Sequence, residues 1–334
     1  MKSILDFLRS QWFLTTVLVV IGLGVFRPNW AVELAEACHR FLPSSFLTAF
    51  VLFLMSVTLP LKKFHESLKR PWGLLLASLI SIVIMPLLGW GLSRVQLTVD
   101  AQWGLLIAGA VPSTMASSAV WTRRASGNDA ISLCVTMITN GSCFLVIPFW
   151  MRIYSGEDLG FDPWGMIQKL LLVAVLPMTL GQILRAIPSI GDWVVQARNK
   201  QKLSILSQIG ILLIIYQGLI HMSVQNLPHG TNQSINTLSL IWLGLCCLLL
   251  HAMGLGLGIF LSRHFELNPA DQIAVGISGS QKTLAIALET ATFPQIIAFA
   301  GGGLLMLGPL MFHLLQLIFD SVVVEVWNRQ QNKT

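Results

Sequence analysis

Apolar residues run through this chain in long blocks, with charged residues largely confined to the short segments between them. The blocks cover residues 12–27, 44–60, 72–93, 101–121, 130–151, 163–185, 204–225, 237–262, 270–290 and 293–319. Their lengths approach the roughly 20 residues a helix needs to cross about 30 Å of hydrocarbon. Backbone polar groups in lipid need partners within their own segment, so the pattern predicts an all-α integral membrane protein of ten transmembrane helices. The fourth and ninth blocks are the least helical. The fourth reads LIAGAVPSTMASSAV over Leu106–Val120, and the ninth QIAVGISGSQKTLAI over Gln272–Ile286. Each starts apolar and small, breaks into consecutive small or polar residues and then resumes. Interrupted helices are therefore expected at Ser113–Ser118 and Gly276–Thr283.

Composition agrees. Of 334 residues, 54% are hydrophobic and only 11% charged, against about a quarter charged in soluble domains. The net charge of +6 needs no nucleic acid or other polyanionic partner, because cytoplasmic loops of membrane proteins concentrate Lys and Arg. With a cytoplasmic N-terminus, the inside segments hold 15 of the 21 basic residues and the outside segments five. That asymmetry predicts both termini in the cytoplasm, in a plasma or inner membrane. Lys2 and Arg9 precede the run Trp12–Phe26 with no convincing cleavage site after it, so a retained first helix is expected. Trp72, Trp103 and Trp164 mark span ends, as an interfacial belt does. Cys38, Cys134, Cys143, Cys246 and Cys247 show no CxxC spacing, so neither a disulfide framework nor a zinc site is indicated. An Asn232-Gln-Ser acceptor sequence falls in an expected outside loop.

Ten spans divide into two fives, residues about 1–155 and about 160–325. The two interrupted spans take equivalent places, and the fifth and tenth each carry a Gly followed seven residues later by Pro: Gly141 and Pro148, Gly302 and Pro309. Five helices per half require opposite insertion. Paired interruptions in inverted halves point to a transporter site near the bilayer midplane.

Lys282 lies about eleven residues into the ninth span, or about 16 Å at 1.5 Å per residue. A lysine there costs roughly 2.5–3.5 kcal/mol on insertion scales, so something local must offset it. Two readings stay open, a structural ammonium held by helix-end carbonyls and a substrate counter-ion or titrating group. Ser278, Ser280, Gln281 and Thr283 surround it, beside Gly276 and Gly279. Pro112 breaks the fourth span ahead of Ser113, Thr114, Ser117 and Ser118. In the fifth, Ser132, Thr136 and Asn140 form one helical stripe, either lining the same cavity or packing, and Ser81 adds a polar group in the third. His251 and His313 read as packed, hydrogen-bonded histidines. None of the fifteen acids falls near the middle of a proposed span; Glu289 lies near the outer end of the ninth and Asp320 follows the tenth. The proton-relay carboxylate of many pumps is thus expected to be missing. With no nucleophile–base pair or metal constellation, an enzyme is not indicated and no cofactor is expected.

Three stretches carry a family likeness: SSAV at Ser117–Val120, SGNDA at Ser126–Ala130 and SQKTLAIAL at Ser280–Leu288. On these the chain resembles the bile acid:sodium symporter superfamily, and its SBF-like branch in particular, over nearly its whole length. The resemblance implies inverted five-helix repeats, with spans 1, 2, 6 and 7 as a panel and spans 3–5 and 8–10 as a core. Substrate would bind between panel and core, beside the crossing of unwound spans 4 and 9. It also implies two sodium places, one on Ser117, Ser118, Ser132 and Thr136, the other on Ser81, Gln281 and the backbone around Ser278 and Ser280. The family's shared acidic ligand aligns with Ile277, an asparagine-like position with Lys282, and a third-span glutamine with Ser81. A sodium ion about 6 Å from an ammonium would feel roughly 3 kcal/mol of repulsion at an effective dielectric near 20, and serines alone make a weak sodium cage. The expectation is a secondary transporter of a small organic anion, with Lys282 replacing a cation site and either Na⁺ or H⁺ as coupling ion. Arsenite efflux, which would want a thiol near the fourth-span break where the nearest is Cys134, and a non-transporting regulator of ion homeostasis are the alternatives.

Overall fold

Helix is the only regular structure among the described residues, 12–26, 28–60, 71–115, 117–156, 160–225, 237–300 and 304–331 of a computed structural model. In the first half, α1 is Trp12–Phe26, α2 Asn29–Phe41, α3 Ser44–Thr58, α4 Pro71–Ser93, α5 Val99–Ala110, α6 Ser117–Arg124, α7 Asp129–Gly141 and α8 Cys143–Ser155. The second half holds α9 (Pro163–Ala186), α10 (Pro188–Val195), α11 (Ala197–Gln225) and α12 (Thr237–His264). It ends with α13 (Pro269–Ser280), α14 (Leu284–Ala291), α15 (Pro294–Ala300) and α16 (Leu304–Gln331). The N-terminal Lys2 and Arg9, and Asn232, lie outside the described residues.

Among the described residues, five helices are long and apolar enough to cross a membrane singly, or up to eight spans if each of three bent pairs counts as one. The bends are 68° between α2 and α3, 64° between α7 and α8, and 90° where α15 follows α14. Three expectations shift. Residues 29–41, between the first two expected spans, form a helix that buries Ala31 and Ala35 four residues apart. The second interruption is shorter than expected: Gly276–Ser280 is helical, and only Gln281–Thr283 leave the helix between α13 and α14. The last block is not one span over 293–319. α15 stands apart at a right angle, and α16 continues well beyond residue 319 to Gln331.

Two helices carry π-turns for the same local reason. In α4 the turn Ile80–Ile84 precedes Met85-Pro86, and in α9 the turn Leu171–Val175 precedes Leu176-Pro177. Proline has no N–H and its ring crowds the carbonyl four residues back. The Met85 and Leu176 amides reach five residues back instead, to the carbonyls of Ile80 and Leu171. Carbonyls just before the proline are left to find partners elsewhere.

Helices α3, α9, α11 and α1 pack on one another. Helices α4, α5, α12, α13 and α16 pack as a second set, with α6 and α7 against α13. In that set glycines let backbones meet. A Cβ on Gly308 of α16 would stand 2.7 Å from the backbone of Gly104 in α5, and one on Gly258 of α12 would stand 2.8 Å from Gly276 in α13. The joints leading into α7 and α13 match each other. Ser126 and Glu266, each three residues before a helix start, take positive φ of 61° and 54°. Asn128 and Asn268 then cap α7 and α13 by accepting from Ala130 and Asp271 amides. Asn128 also donates to the Asp271 carboxylate at 2.8 Å, fastening the two joints together.

Gly308→Ala should lower thermal stability in detergent by about 1–3 kcal/mol, because backbone must give way. Gly91→Ala in α4, where nothing lies within 4 Å, should leave the unfolding temperature unchanged or slightly raised. A thermal-unfolding comparison of the two variants checks this.

Candidate functional site

The two interruptions meet. Thr283 donates its amide to the Pro112 carbonyl at 2.9 Å, and Ser113 Oγ donates to the Ser278 carbonyl at 2.8 Å. Each extended strand therefore satisfies part of the other's backbone, which α-helical bonding no longer serves. The rest comes from flanking helices. On α7, Thr136 donates to the Thr114 carbonyl at 3.1 Å, Asn140 donates to the Ser113 carbonyl at 2.7 Å, and Thr139 Oγ1 accepts from the Ser113 amide. On α16, Gln316 clamps Lys282, accepting from its amide at 2.8 Å and donating to its carbonyl at 2.9 Å.

The Lys282 side chain is 1% exposed. Its ammonium donates to the Ser81 carbonyl at 2.6 Å, the Val111 carbonyl at 2.8 Å and Ser81 Oγ at 3.2 Å. Three N–H bonds thus meet three acceptors. Both carbonyls are free for identifiable reasons. Val111 caps the broken end of α5, where the helix dipole is negative. Ser81 loses its usual partner because the Met85 amide bonds to Ile80, and the next residue, Pro86, has no N–H. The neighbouring Ile82 carbonyl, freed by the same proline, accepts from the Trp150 indole at 2.8 Å.

On the other side of the break Gln281 joins two systems. Its Oε1 accepts from Ser117 Oγ at 2.9 Å, and its Nε2 donates to the Asp320 carboxylate. Asp320 is fully buried and its other oxygen pairs with His251 Nε2 at 2.8 Å. Asp320 was expected to follow the tenth span; it lies within α16 instead. α16 outruns the expected span, and Asp320 reaches the neighbourhood of Ile277, which packs with Leu255, Phe319 and Val324. Gln316 and Asp320 were likewise missed; with His313 they stand at i, i+3 and i+7, a one-face stripe that a longer tenth helix makes readable.

The remaining expected ligands are engaged in structure. Ser132 shares a hydrogen bond with Thr122 at 2.7 Å, and Ser117 Oγ, its proton given to Gln281, accepts from the Thr114 hydroxyl at 3.0 Å. Ser278 and Ser280 back-bond to Ala274 and Gly276 carbonyls. Ser118 is different: its Oγ is buried without a partner. No group of three or more metal-ligating His, Cys, Asp or Glu occurs among the described residues.

A cavity of about 300 Å³ touches the crossing, bounded by Met115, Met137 and Asn140 on one side and by Ser56, Val175, Met178, Thr179 and Gln182 on the other. A larger one, about 530 Å³, is lined by His39, Ser44, Ser45, Lys169, Gln217 and Thr292. Beside it Glu289 of α14 accepts from Lys169 of α9 at 2.9 Å and Ser45 of α3 at 2.7 Å.

Two interrupted helices that meet beside a buried cation are a feature of many transporters, and comparison with known proteins points the same way. The model of the SBF-like CPA transporter family matches residues 11–329. The chain belongs to this family. Among its relatives is an uncharacterized protein of Pseudomonas aeruginosa, 29% identical over 78% of this chain and 77% of the relative. A second, from Arabidopsis thaliana, is named as a probable sodium/metabolite cotransporter, BASS4, and is 26% identical over 100% of this chain and 76% of its own. The sodium/bile acid cotransporter 7 of Rattus norvegicus is 23% identical over 96% and 93%. The family is one of integral membrane transporters.

Lys282→Ala should strand the Ser81 and Val111 carbonyls, each unsatisfied group costing about 1–3 kcal/mol. Thermal unfolding should show the loss. Added sodium or potassium should partly restore the variant and leave the parent unmoved, since only the variant has a vacant oxygen cage.

Proposed function

We propose that the protein is a secondary active transporter of a small organic anion and that Lys282 takes the place of one coupling sodium ion. The observation that carries this reading is the three-acceptor cage around the Lys282 ammonium at the helix crossing. The cage includes Ser81, and Gln281 and Lys282 flank it, where the family resemblance puts a sodium place. An ammonium there satisfies the oxygens a sodium ion would use and repels a second cation.

Alternating access would move α1, α3, α9 and α11 against the core formed by α4–α8 and α12–α16, as inverted repeats allow. The matched joints at Ser126 and Glu266 support the repeat, and the link from Glu289 to Lys169 and Ser45 joins the two sets at one end. Substrate would enter the 300 Å³ cavity between the sets. Three methionines there offer an adaptable apolar wall. Asn140 and Gln182 are polar side chains among its lining residues, so the solute that fits best carries hydrogen-bonding groups beside its anionic group. The relatives' names, with bile acid and metabolite as their solutes, support that class.

The test is uptake of labelled taurocholate, as a probe, into proteoliposomes in sodium and in potassium buffer. Saturable uptake at equal rates in both is expected, with Lys282→Ala inactive. Coupling free energies of 1–3 kcal/mol correspond to roughly 5–150-fold; acceleration in that range by an inward sodium gradient would sink the replacement of sodium by Lys282.

A further inference from the structure

At the end of the bundle where α3 begins, charge holds the two helix sets together. Lys169 of α9 pairs with Glu289 of α14 at 2.9 Å, and Ser45 in the first turn of α3 donates to the same carboxylate oxygen at 2.7 Å. Of the ion pairs between described residues, this one joins the sets, and the others lie within the core. Next to it the Asp162 amide, just ahead of α9, donates to Gln295 of α15 at 2.8 Å. The 300 Å³ cavity lies toward the opposite ends of α3 and α9, beside Ser56 and Gln182.

The two partners differ in exposure. The Glu289 side chain is 1% exposed, whereas that of Lys169 is 25% exposed and lines the 530 Å³ cavity. That volume is in the range of small-molecule sites. Among the described lining residues Lys169 is the one lysine or arginine, and no acid is present. One of its three N–H bonds goes to Glu289, and the ammonium lies 5.8 Å from the Phe293 ring centroid. The strong acceptors nearby are already covered. Gln217 Oε1 accepts from Ser44 at 2.9 Å and faces His39 Nδ1 at 3.4 Å, while Glu289 Oε1 holds Lys169 and Ser45. Ser44, Ser45 and Thr292 give their protons to Gln217, the Glu289 carboxylate and the Glu289 backbone carbonyl, and keep hydroxyl lone pairs. Such a wall offers an ammonium to an anion, and oxygens to a hydroxyl or amide beside it.

We propose that this cavity is a second site for an anionic solute, with Lys169 as its cation, and that the solute unlatches the two helix sets by taking Lys169 from Glu289. The unlatching role rests on the transporter reading above; the anion site does not. Exchange of partners at Lys169 leaves the Glu289 carboxylate buried without its counter-ion, which is strongly unfavourable. Water reaches Glu289 when α14 parts from α9 and α3, so relief of that charge and opening of this end are one event. With no solute present, Glu289 holds Lys169 and the end stays shut.

The test uses the full-length protein in lipid nanodiscs, with taurocholate as the probe anion. Glu289→Gln should tighten one phase of its binding, because the competitor for Lys169 is gone. Lys169→Gln should weaken that phase by about tenfold or more, the contribution of a charge-assisted hydrogen bond. Equal affinity in both variants and the parent, or no binding to any of them, overturns the anion site. Opening is read from the distance between spin labels at Phe46→Cys on α3 and Val99→Cys on α5, both exposed positions. The labels go into Cys38→Ser protein, whose other cysteines are buried. Taurocholate should lengthen that distance, and Glu289→Gln should lengthen it without solute. The exchanged pair, Lys169→Glu with Glu289→Lys, should stay short and lose the taurocholate phase. A distance that neither taurocholate nor Glu289→Gln changes overturns the latch. If the variants at 169 and 289 do not fold, the labelled protein with its native pair decides: lengthening on taurocholate is expected, and its absence is fatal. Uptake into proteoliposomes separates the two readings. Lys169-dependent binding without uptake by the parent under any gradient counts against the transporter reading and leaves the anion site standing.

Discussion

A lysine ammonium at the depth of a membrane helix crossing is the constraint around which this bundle is arranged. Insertion of such a group costs roughly 2.5–3.5 kcal/mol. Hydrogen bonds to a charged donor are worth about 1.5–3 kcal/mol each, so two good acceptors offset the cost, and Lys282 has three. No carboxylate is among them. The acceptors are mostly backbone carbonyls, which a regular helix never offers, so the cage exists only because two helices are irregular. The break after α5 frees Val111, and Pro86 with its π-turn frees Ser81. Irregularity in α4 and interruption of α5 are thus one device, and removing either would leave a cation in hydrocarbon with too few partners.

The same logic explains why the crossing is rigid. Extended residues in the two breaks are hydrogen-bonded to each other and to α7 and α16, and Gln316 closes both backbone groups of Lys282. Close approach of α5 to α16 and of α12 to α13, through Gly104, Gly308, Gly258 and Gly276, brings those side chains within reach. Glycine at these contacts is required by distance alone.

Much of this was legible in the amino-acid order. Pro112 with its serines and the polar run around Lys282 marked both interruptions, and the stripe through Thr136 and Asn140 marked the helix that supports the first. What escaped has definite physical causes. A π-turn is set by where an amide finds its acceptor, and Met85-Pro86 reads as an ordinary kink until the ladder is traced. The second interruption is shorter than its polar run implies because glycines and back-bonding serines, such as Ser278 and Ser280, sit inside a helix. Asp320 was lost to an end rule. A span cut at about twenty-five residues stops before it, whereas α16 continues in protein surroundings, with His251 from a distant helix as partner. Hydropathy measures how apolar a segment is and cannot see that a buried acid is already paired.

Asp320 also changes the electrostatic argument about ions. With an ammonium at Lys282 and no acid at Ile277, the crossing taken alone repels cations, and nothing in it would respond to one. The Asp320 carboxyl from α16 stands beside Gln281 but offers no free oxygen to a sodium ion, because its two oxygens are taken by a glutamine amide and an imidazole. A hard cation needs several free oxygens. The arrangement therefore keeps the pairing of positive charge with the broken helix that the fold requires. A fixed ammonium stands on one side of the break, and a buried carboxyl bonded to Gln281 and His251 stands on the other.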